Sequence, residues 1–422
     1  MTKTIMFIGA GPFQLPGIKK AKEMGLQVVA TDKDYNALGL KIADFSYAAD
    51  IKDVDTCISI AKKHKIDGVL TVSTEMGVPT VAAISAELGL PGISPETAKK
   101  ARNKELMRNA FLEAGVPSPE FRVVSSVDEA KKAVKEVGYP AIIKPTESAG
   151  NRGVIVIKRS SDIEESFSIA QKYSSDHRNI VEEFMLGTET TVEGFTYNNK
   201  DYVLAMSDKI KYDSQYRVAT NLTYPPDFPV ETLKRIEEVA KSAVRAIGIE
   251  MGPTHTEIIV TKEGPKLVEI AARGGGFKIF TDIVRLASGF DLLKGSINMA
   301  VGNEVHVEIA EPKFTKGAVL RFFMPPCGKV SKIEGISAAK AINGIFELEV
   351  FIKEGDIIPP LRSAGDRVGY LISYAENRKE ALRVADQAEK TVKFQVEKSE
   401  VTDRFFKEDS NYSLEGERFG DR

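Results

Sequence analysis

The sequence predicts a parallel α/β domain at its start and a small α+β domain near its end, joined by a larger mixed domain. Apolar runs TIMFI, QVVATD and KIDGVLTV alternate with helical stretches over residues 1–93, which is typical of an open parallel sheet. After about residue 310 the pattern changes to short strands with turn signals and one helix at 378–390. The predicted domains are therefore 1–93, 94–310 and 311–400, followed by a charged, loose tail at 401–422.

Capping residues and periodicity predict the elements of the middle domain. Ser94 is placed to cap a helix with Pro95 in its first turn, and that helix is predicted to run to Gly115. Further helices and apolar strands are predicted at 127–137, 230–247, AIIK, VIVIK, NIVEEF, THTEIIV and KLVEI. Residues alternate in the strand after NIVEEF, so Glu189 and Glu193 are expected on one face of it.

The bulk composition excludes several classes of protein. Hydrophobic residues make up 42% of the chain and charged residues 28%, as in globular enzymes with apolar cores. The formal net charge of -2 gives no attraction to a polyanion, so no nucleic-acid partner is expected. No apolar run approaches the roughly 20 residues of a membrane helix, and the N-terminus lacks a signal-peptide pattern. With only Cys57 and Cys327, far apart, we expect no disulfide framework, no membrane contact and a cytoplasmic location.

A glycine cluster, GAGPFQ, follows the first predicted strand. Gly9 and Gly11 before a helix suggest a dinucleotide-binding turn, and Asp32 ends the second strand where a ribose-binding acid would stand. The third glycine of that fingerprint is replaced by Gln14. A tight strand-to-helix turn is therefore the preferred interpretation, with an NAD-dependent oxidoreductase as the alternative.

A second glycine-containing loop is the stronger phosphate-binding candidate. Lys144 ends an apolar strand and is followed by Pro145 and the loop TESAGNRG at 146–153. Small residues and two glycines can present backbone N–H groups to phosphate oxygens, and the lysine adds a positive charge. Taken alone, this segment fits a flexible surface hairpin equally well.

Two acidic strands decide the chemistry. Alternation places His255 and Glu257 on one face of THTEIIV, and Glu269 ends the neighbouring strand KLVEI, just before AARGGG. Two carboxylates on adjacent strands suit a hard cation, since Mg²⁺ takes few carboxylates together with substrate phosphates. Phosphoryl transfer from ATP requires such acids, a lysine clamp and a glycine loop.

Over about residues 1–300 the chain resembles the ATP-grasp superfamily. The matching segments are RNK at 102–104, IKP at 143–145 with its glycine loop, VEEFM and GTE at 181–189, and the acidic strand pair. Each segment is individually weak, but their order is specific. The resemblance implies an α/β and α+β fold class: an N-terminal open parallel α/β domain, a two-lobed ATP-grasp domain and a small C-terminal α+β domain.

The resemblance also implies roles for individual residues at the nucleotide. Lys104 and Lys144 would contact the ATP phosphates, and the loop would cover them. The residues implied for ATP binding are Lys104, Lys144, Ser148, Gly150, Gly153, Glu182, Glu183, Phe184, Met185 and Glu189, the last one at the ribose hydroxyls. Glu257 and Glu269 would hold Mg²⁺, with Mn²⁺ as a substitute. Ala271 stands where many members have an asparagine, a departure that leaves the number of metal ions open.

Within the superfamily, GPTHTE and VEIAARGGG are most similar to the L-amino-acid ligase branch. The segment after residue 310, with RFFMPP and RVGY, is similar to that branch's C-terminal domain. This implies that Arg273 faces an acyl phosphate and that Phe277, with Gly274 and Gly275, borders the substrate pocket. Purine-pathway and carbamoyl phosphate relatives fit less well, because different Pro-Arg sequences usually follow their second acid.

The expected reaction is an ATP-dependent ligation through an acyl phosphate, with a small-molecule carboxylate and an amine as partners. Arg273 and the N–H groups of 274–276 would stabilise the tetrahedral oxyanion. His255 is a candidate base, although hydrogen bonding to a metal carboxylate is the favoured role. Lys209, Tyr212 and Arg217 are substrate-pocket candidates on a segment that equally fits a surface loop.

Three alternatives stay open at this point. They are another ATP-grasp ligase of the purine or carbamoyl phosphate type, a non-catalytic nucleotide-binding module, and the oxidoreductase named above. Since relatives are often dimers, a homodimer is a further open expectation. The sequence does not name the carboxylate or the amine.

Overall fold

The computed structural model describes residues 2–148, 150, 152–212, 217–307 and 316–397. The predicted tail at 401–422 lies outside these residues, as does the predicted boundary near residue 310. The domain boundaries therefore stay predictions. Within the described part of the chain, no helix is both long and apolar enough to cross a membrane.

A four-stranded parallel sheet begins the chain. Its strands and helices are β1 (Thr4–Ile8), α1 (Leu15–Glu23), β2 (Gln27–Asp32), β3 (Phe45–Ala48), α2 (Val54–His64), β4 (Gly68–Leu70) and α3 (Val78–Leu88). The strand order is β3-β2-β1-β4, with every neighbouring pair parallel. Every residue of the central strand β1 is buried, as expected for a strand covered on both faces. The prediction of an open parallel α/β domain is confirmed.

The side chains of Gln14 and Asp32 form hydrogen bonds that stabilise the GAGPFQ turn. The Nε2 of Gln14, at the third-glycine position, donates to the carbonyl of Val72 at 2.6 Å. The carboxylate of Asp32 accepts from the backbone N–H of Ala10 at 2.9 Å. Gly9 adopts a φ of 99°, a conformation that glycine reaches without a Cβ penalty. These contacts agree with the tight-turn interpretation.

Two helices stand where the sequence predicted one. Ser94 caps α4 (Pro95–Arg102) as predicted, with its Oγ accepting from the N–H of Thr97 at 3.0 Å. The prediction that this helix continues to Gly115 is wrong, because Asn103 is extended at φ -98° and ψ 114°. The side chain of Asn103 then caps α5 (Lys104–Glu113), which makes Lys104 the first residue of a new helix.

An antiparallel outer lobe follows, spanning residues 121–183. Its elements are β5 (Phe121–Val124), α6 (Val127–Val137), β6 (Ala141–Pro145), β7 (Ile155–Ile157), a 3-10 turn (Ser160–Asp162), α7 (Ile163–Gln171) and β8 (Asn179–Glu183). The strand order is β5-β8-β6-β7. Strand β6 carries Lys144 at the centre of this small sheet, between β8 and β7.

A larger sheet forms the other side of the molecule. Its first strands and the helices beside them are β9 (Thr188–Tyr197), β10 (Lys200–Lys211), β11 (Ala219–Tyr224), α8 (Val230–Ile247), β12 (Gly252–Thr261), β13 (Gly264–Ala271), a π-helical turn (Ile279–Ile283), α9 (Val284–Ser288) and α10 (Leu292–Ala300). Helix α8 matches the predicted 230–247. The helical segment 279–300 was not predicted from the sequence.

The C-terminal strands divide between two sheets. The elements are β14 (Gly317–Phe322), β15 (Gly328–Glu334), α11 (Ile336–Lys340), β16 (Ile345–Val350), β17 (Ile357–Ile358), a 3-10 turn (Ala364–Asp366), β18 (Gly369–Ala375), α12 (Arg378–Thr391) and β19 (Lys393–Glu397). Strands β14, β18 and β16 extend the larger sheet to the order β13-β12-β9-β10-β11-β14-β18-β16, whereas β17, β15 and β19 form a small sheet. The expected α+β composition is present, but its main sheet is continuous with the central one, because β14 pairs with the edge strand β11.

Gly68 tests how the first domain packs on the central one. A Cβ at this position would lie 2.4 Å from the carbonyl oxygen of Ala300, in α10. We expect Gly68→Ala to lower the free energy of unfolding by about 1 to 3 kcal/mol, the usual cost of overpacking. Urea unfolding followed by circular dichroism measures it.

Gly365→Ala is the matched control, since its Cβ would meet only the Ser363 Oγ at an ordinary 3.5 Å. Equal stability of the two variants would contradict a rigid contact between β4 and α10.

Candidate active site

A cleft between the outer lobe and the central sheet brings together most of the predicted nucleotide residues. The predicted residues that line it are Lys104, Lys144, Ser148, Gly150, Glu182, Glu183, Phe184, Met185, Glu189, Glu257 and Glu269. Its volume of about 120 Å³ is below the roughly 300 to 1,000 Å³ typical of ligand pockets. The lobes therefore stand close together in this state.

Gly153, predicted to cover the phosphates, does not line this cleft. It has a φ of 74°, and a Cβ there would lie 2.9 Å from Pro145 and 3.1 Å from Tyr173. The positive φ and the close packing at the base of the loop explain why residue 153 is a glycine. Ala149 and Asn151 of the same loop lie outside the described residues.

A buried ion network holds Lys144 in the cleft. Its Nζ donates to one carboxylate oxygen of Glu182 at 2.6 Å, and the Nε of Arg108 donates to the other at 2.8 Å. Both Arg108 and Glu182 are 1% exposed. Burial alone would raise the pKa of Glu182, but the two cations outweigh it and hold that pKa at about 2. The Glu182 carboxylate therefore orients Lys144 and is not free to meet a nucleotide.

Lys104 meets the glycine loop from the opposite side. As the first residue of α5 it is almost fully buried, and its Nζ donates to the carbonyl of Ser148 at 3.0 Å. Burial and the nearby Lys144 lower the pKa of Lys104, while Glu269 and Glu182 oppose that change. A buried ammonium close to a second lysine favours the arrival of an anion.

Lysines neutralise the acids on the floor of the cleft. Lys209 lies 2.7 Å from both Glu189 and Glu257, and Lys211 lies 2.5 Å from Glu189. Burial would lower the pKa of Lys209, but the two carboxylates raise it instead. Lys209 was proposed only as a pocket residue and Lys211 was missed. Lys209 and Lys211 are two residues apart on β10, so both side chains lie on the face that meets Glu189. This spacing is visible in the sequence.

The predicted metal ligands lie side by side. Glu257 on β12 and Glu269 on β13 are directly paired across the two antiparallel strands. Burial would raise the pKa of Glu257, but Lys209, His255 and Lys211 hold it well below its usual value. Among the described residues no group of three or more His, Cys, Asp or Glu side chains is arranged to hold a metal ion. Two carboxylates completed by phosphate oxygens fit Mg²⁺ nonetheless.

His255 is held between two carboxylates. Its Nδ1 lies 2.6 Å from Glu193, and its Nε2 lies 3.5 Å from Glu257. Burial would lower the pKa of His255, but these two acids raise it to about 9. The imidazole is therefore protonated at neutral pH and cannot accept a proton in this state. The contact between His255 and Glu257 agrees with the expected role of His255 as a hydrogen-bonding partner of a predicted metal carboxylate. Glu193, fully buried, was predicted on this face but not as part of the site.

Arg273 points to the first domain. Its Nε donates to Glu75 at 2.6 Å, and its Nη1 donates to the carbonyl of Gly274 at 2.9 Å. Burial would lower the pKa of Arg273, but Glu75, Glu269 and Glu193 raise it. Glu75, which was not predicted, follows β4 and so joins the parallel domain to the site.

The glycine turn after β13 is tightly packed. A Cβ at Gly274 would lie 2.1 Å from the ring of Phe280, and one at Gly275 would lie 2.7 Å from Ile279. The N–H of Gly275 donates to Glu193 at 3.3 Å. The N–H of Gly275 is therefore already hydrogen-bonded in this state. Of the expected oxyanion donors, Arg273 and the N–H groups of Gly274 and Gly276 remain as candidates.

Phe277 packs between the first domain and the C-terminal strands. It has a φ of 45°, and its ring lies 4.9 Å from Phe322, 4.8 Å from Tyr370 and 5.9 Å from Phe13. Neither it nor Gly274 and Gly275 line the nucleotide cleft. The predicted substrate-pocket residues therefore form a separate group beyond Arg273.

The polar segment after β10 is only partly described. Arg217 lines the nucleotide cleft, whereas Tyr212 is 46% exposed. Residues 213–216, between them, lie outside the described residues. Of the three candidates of this segment, the structure thus places Arg217 and, on β10, Lys209 at the site.

Family models match two parts of the chain. A model described as an ATP-grasp domain matches residues 137–282, which cover the outer lobe from the end of α6 onward and the acidic strands. A model described as L-amino acid ligase C-terminal domain 2 matches residues 321–397.

Similar proteins align over most of the chain. The uncharacterized protein y4rH of Sinorhizobium fredii is 27% identical over 72% of this chain, but the alignment covers only 63% of that protein, less than two thirds. The formate-dependent phosphoribosylglycinamide formyltransferase of Methanocaldococcus jannaschii is 24% identical over 80% of this chain and 91% of its own length.

Two solved structures share the fold. The L-amino acid ligase from Bacillus licheniformis has a TM-score of 0.81 at 20% identity, covering 94% of this chain and 99% of its own. The phosphoribosylglycinamide synthetase from Anaerococcus prevotii has a TM-score of 0.76 at 24% identity, covering 94% and 100%.

The His255–Glu193 contact generates a pH prediction. Because the folded-state pKa of His255 is about 9 against an ordinary 6.5, its stabilising contribution is complete below pH 6.5 and is lost as pH rises through 9. We expect a histidine NMR titration to show a midpoint near 9 in the wild type and a lower midpoint in Glu193→Gln.

The exposed His306 gives an internal reference in the same spectra. A wild-type midpoint near 6.5 for His255 would contradict the paired geometry.

Proposed function

We infer that this chain, which belongs to the ATP-grasp superfamily and is an ATP-dependent, ADP-forming carbon–nitrogen ligase, joins an amino-acid carboxylate to an amine. The observation that carries this is the convergence in one cleft of two buried lysines, the glycine loop and two opposed carboxylates, with Arg273 beside them. Phosphoryl transfer depends mainly on positioning and charge neutralisation, for which this set is suited. The L-amino acid ligase model over residues 321–397 supports amino acids as substrates.

In the first step, a carboxylate oxygen of the substrate attacks the γ-phosphorus of ATP. The bond between that phosphorus and the β,γ-bridging oxygen breaks, ADP leaves and an acyl phosphate forms. Lys104 and Lys144 offset the negative charge that spreads over the phosphoryl oxygens. Glu182 keeps Lys144 aimed at the cleft without being part of the reaction.

Glu257 and Glu269 would hold Mg²⁺ in the cleft. The metal would supply Lewis-acid stabilisation of the phosphate oxygens when bound. Lys209, which neutralises Glu257 here, would then retain Glu189 as its partner. Mn²⁺ would fit the same oxygen ligands.

In the second step, the amine attacks the acyl carbon, the bond to the phosphate oxygen breaks, and inorganic phosphate leaves. Arg273 would donate to the developing oxyanion. His255 is protonated in this state, so the proton that the amine loses is balanced on the inorganic phosphate, which leaves as hydrogen phosphate. We assign His255 to hold Glu193 and Glu257 in place.

A purine-pathway ligation is the second candidate. The formate-dependent phosphoribosylglycinamide formyltransferases of Methanocaldococcus jannaschii and Wolinella succinogenes align over 91% and 96% of their own length, and the second covers 92% of this chain. The L-amino acid ligase model over the C-terminal strands favours the first candidate. Both use the same cleft and the same acyl phosphate chemistry.

The deciding experiment measures phosphate release from ATP and Mg²⁺ against single and paired amino acids, with mass spectrometry of the products. A second arm supplies formate with glycinamide ribonucleotide. Release that requires a specific amino-acid pair and gives a dehydrated product supports the first candidate. Release only in the formate arm would replace it with the second.

Glu257→Gln tests the metal assignment. We expect Mg²⁺-dependent phosphate release to fall by about 100-fold or more, because a Lewis-acid contribution is worth several kcal/mol. Steady-state kinetics over a range of Mg²⁺ concentrations measures it. Glu250→Gln, at an exposed acid that precedes the same strand, is the control. Normal Mg²⁺ dependence in Glu257→Gln would refute the assignment.

Arg273→Ala tests the oxyanion role. We expect kcat for ligation to fall by about 100- to 1,000-fold, the cost of losing one oxyanion donor, with little change in KM for ATP. Arg285→Ala, at an exposed arginine of the following helix, serves as the control. Ligation near the wild-type rate in Arg273→Ala would remove Arg273 from the mechanism.

A further inference from the structure

A second cleft lies on the other side of the glycine loop. It is bounded by the first domain, the end of α4 and the loop, and its volume is about 430 Å³, within the usual range for ligand pockets. Ser148 lines both clefts, so the loop is the wall between them. The larger cleft is therefore next to the position expected for the terminal phosphate of ATP.

The second cleft also reaches the predicted acyl-transfer residue. Glu75 lines it and accepts the 2.6 Å hydrogen bond from Arg273. A molecule whose carboxylate lay at Arg273 could extend from there into this cleft. Lys52 and Arg102 line this second cleft and have no role in the nucleotide site described above.

Positive charge is in excess at this cleft. Lys52 and Arg102 line it, together with the acids Glu75 and Glu147. Glu75 is paired with Arg273, whereas Glu147 accepts from the neutral Asn103 amide at 3.1 Å and keeps its charge. Lys52 and Arg102 therefore bring two positive charges against the single negative charge of Glu147.

Arg102 is the most informative of these cations. It is half-buried, and its guanidinium donates to the sulfur of Met76 at 3.8 Å. Methionine sulfur is a weak acceptor, and no carboxylate within the described ranges pairs with Arg102. A partly buried guanidinium without an anionic partner is costly unless a ligand supplies one.

We propose that this cleft binds a second anionic group, a carboxylate or a phosphate, of the substrate whose first carboxylate is activated. The proposal rests on the proposed function and specifies its substrate class as a dianionic acid. Lys52 and Arg102 bind the distal anion, and the hydroxyls of Thr80 and Tyr173 line the space between. An apolar substrate would bury these charges without a partner, so it is disfavoured here.

The experiment measures binding to the full chain with MgADP present, by isothermal titration calorimetry. The probes are L-glutamate and O-phospho-L-serine, with the nearly isosteric but neutral side chain of L-glutamine as the matched ligand. We expect one of the anionic probes to bind at least tenfold more tightly than glutamine. Tighter binding of phosphoserine identifies a phosphate site, and tighter binding of glutamate identifies a carboxylate site.

Two variants assign the effect to this cleft. Arg102→Gln and Lys52→Gln should each weaken binding of the preferred probe about tenfold and leave glutamine binding unchanged. Lys99→Gln, an exposed lysine on the same helix outside the cleft, is the matched control. Lys52 is exposed, so its variant stays informative if Arg102→Gln does not fold.

The outcomes separate this proposal from the proposed function. Equal affinity for glutamine and both anionic probes, or unchanged affinity in both variants, would overturn the proposal. ATP turnover with neutral amino acids that Arg102→Gln leaves intact would also overturn it, while the ligase function would stand. Binding that requires Arg102, without turnover of any amino acid, would support the anion site and count against the amino-acid ligase.

Discussion

The buried contact of Arg108 and Lys144 with Glu182 is the interaction on which the rest of the site depends. It joins α5 to the outer lobe, and the second nitrogen of Arg108 donates to Val268 on β13 at 2.7 Å. Arg108 and Glu182 together therefore connect α5, the outer lobe and β13. Removing one partner of such a buried network typically costs about 3 to 5 kcal/mol, because the remaining charge is left without compensation.

The need of a buried charge for a partner also explains the ion pairs on the floor of the nucleotide cleft. Charges that are shielded from water need partners, and Glu189 and Glu257 receive theirs from Lys209 and Lys211. These pairs keep the cleft nearly neutral before a polyanion enters. Under the proposed function, a nucleotide would then exchange partners with these pairs instead of meeting an open, solvated surface. Preorganised charges of this kind are the main source of catalysis in phosphoryl transfer.

Contacts between domains position Arg273, to which the proposed function assigns the acyl phosphate. Glu75 comes from the parallel sheet, Arg273 from the turn after β13, and Phe322 from the C-terminal strands packs on Phe277. Because the C-terminal strands continue the central sheet, the three predicted domains surround one site. Under the proposed function, the larger cleft beside Glu75 and the separate aromatic group around Phe277 would be the two directions in which a substrate extends from Arg273.

Local signals in the sequence determined helix α8, the cap at Ser94 and the order of the lysine, loop and acid segments, since periodicity and capping act over a few residues. Only the tertiary structure decided the pairs formed over long separations. Glu193 and His255 are 62 positions apart, and Glu75 and Arg273 are 198. Such pairs depend on strand register and domain packing, which no short segment encodes. The helix break at Asn103 belongs with them, because its side chain also contacts Glu147 of the distant glycine loop.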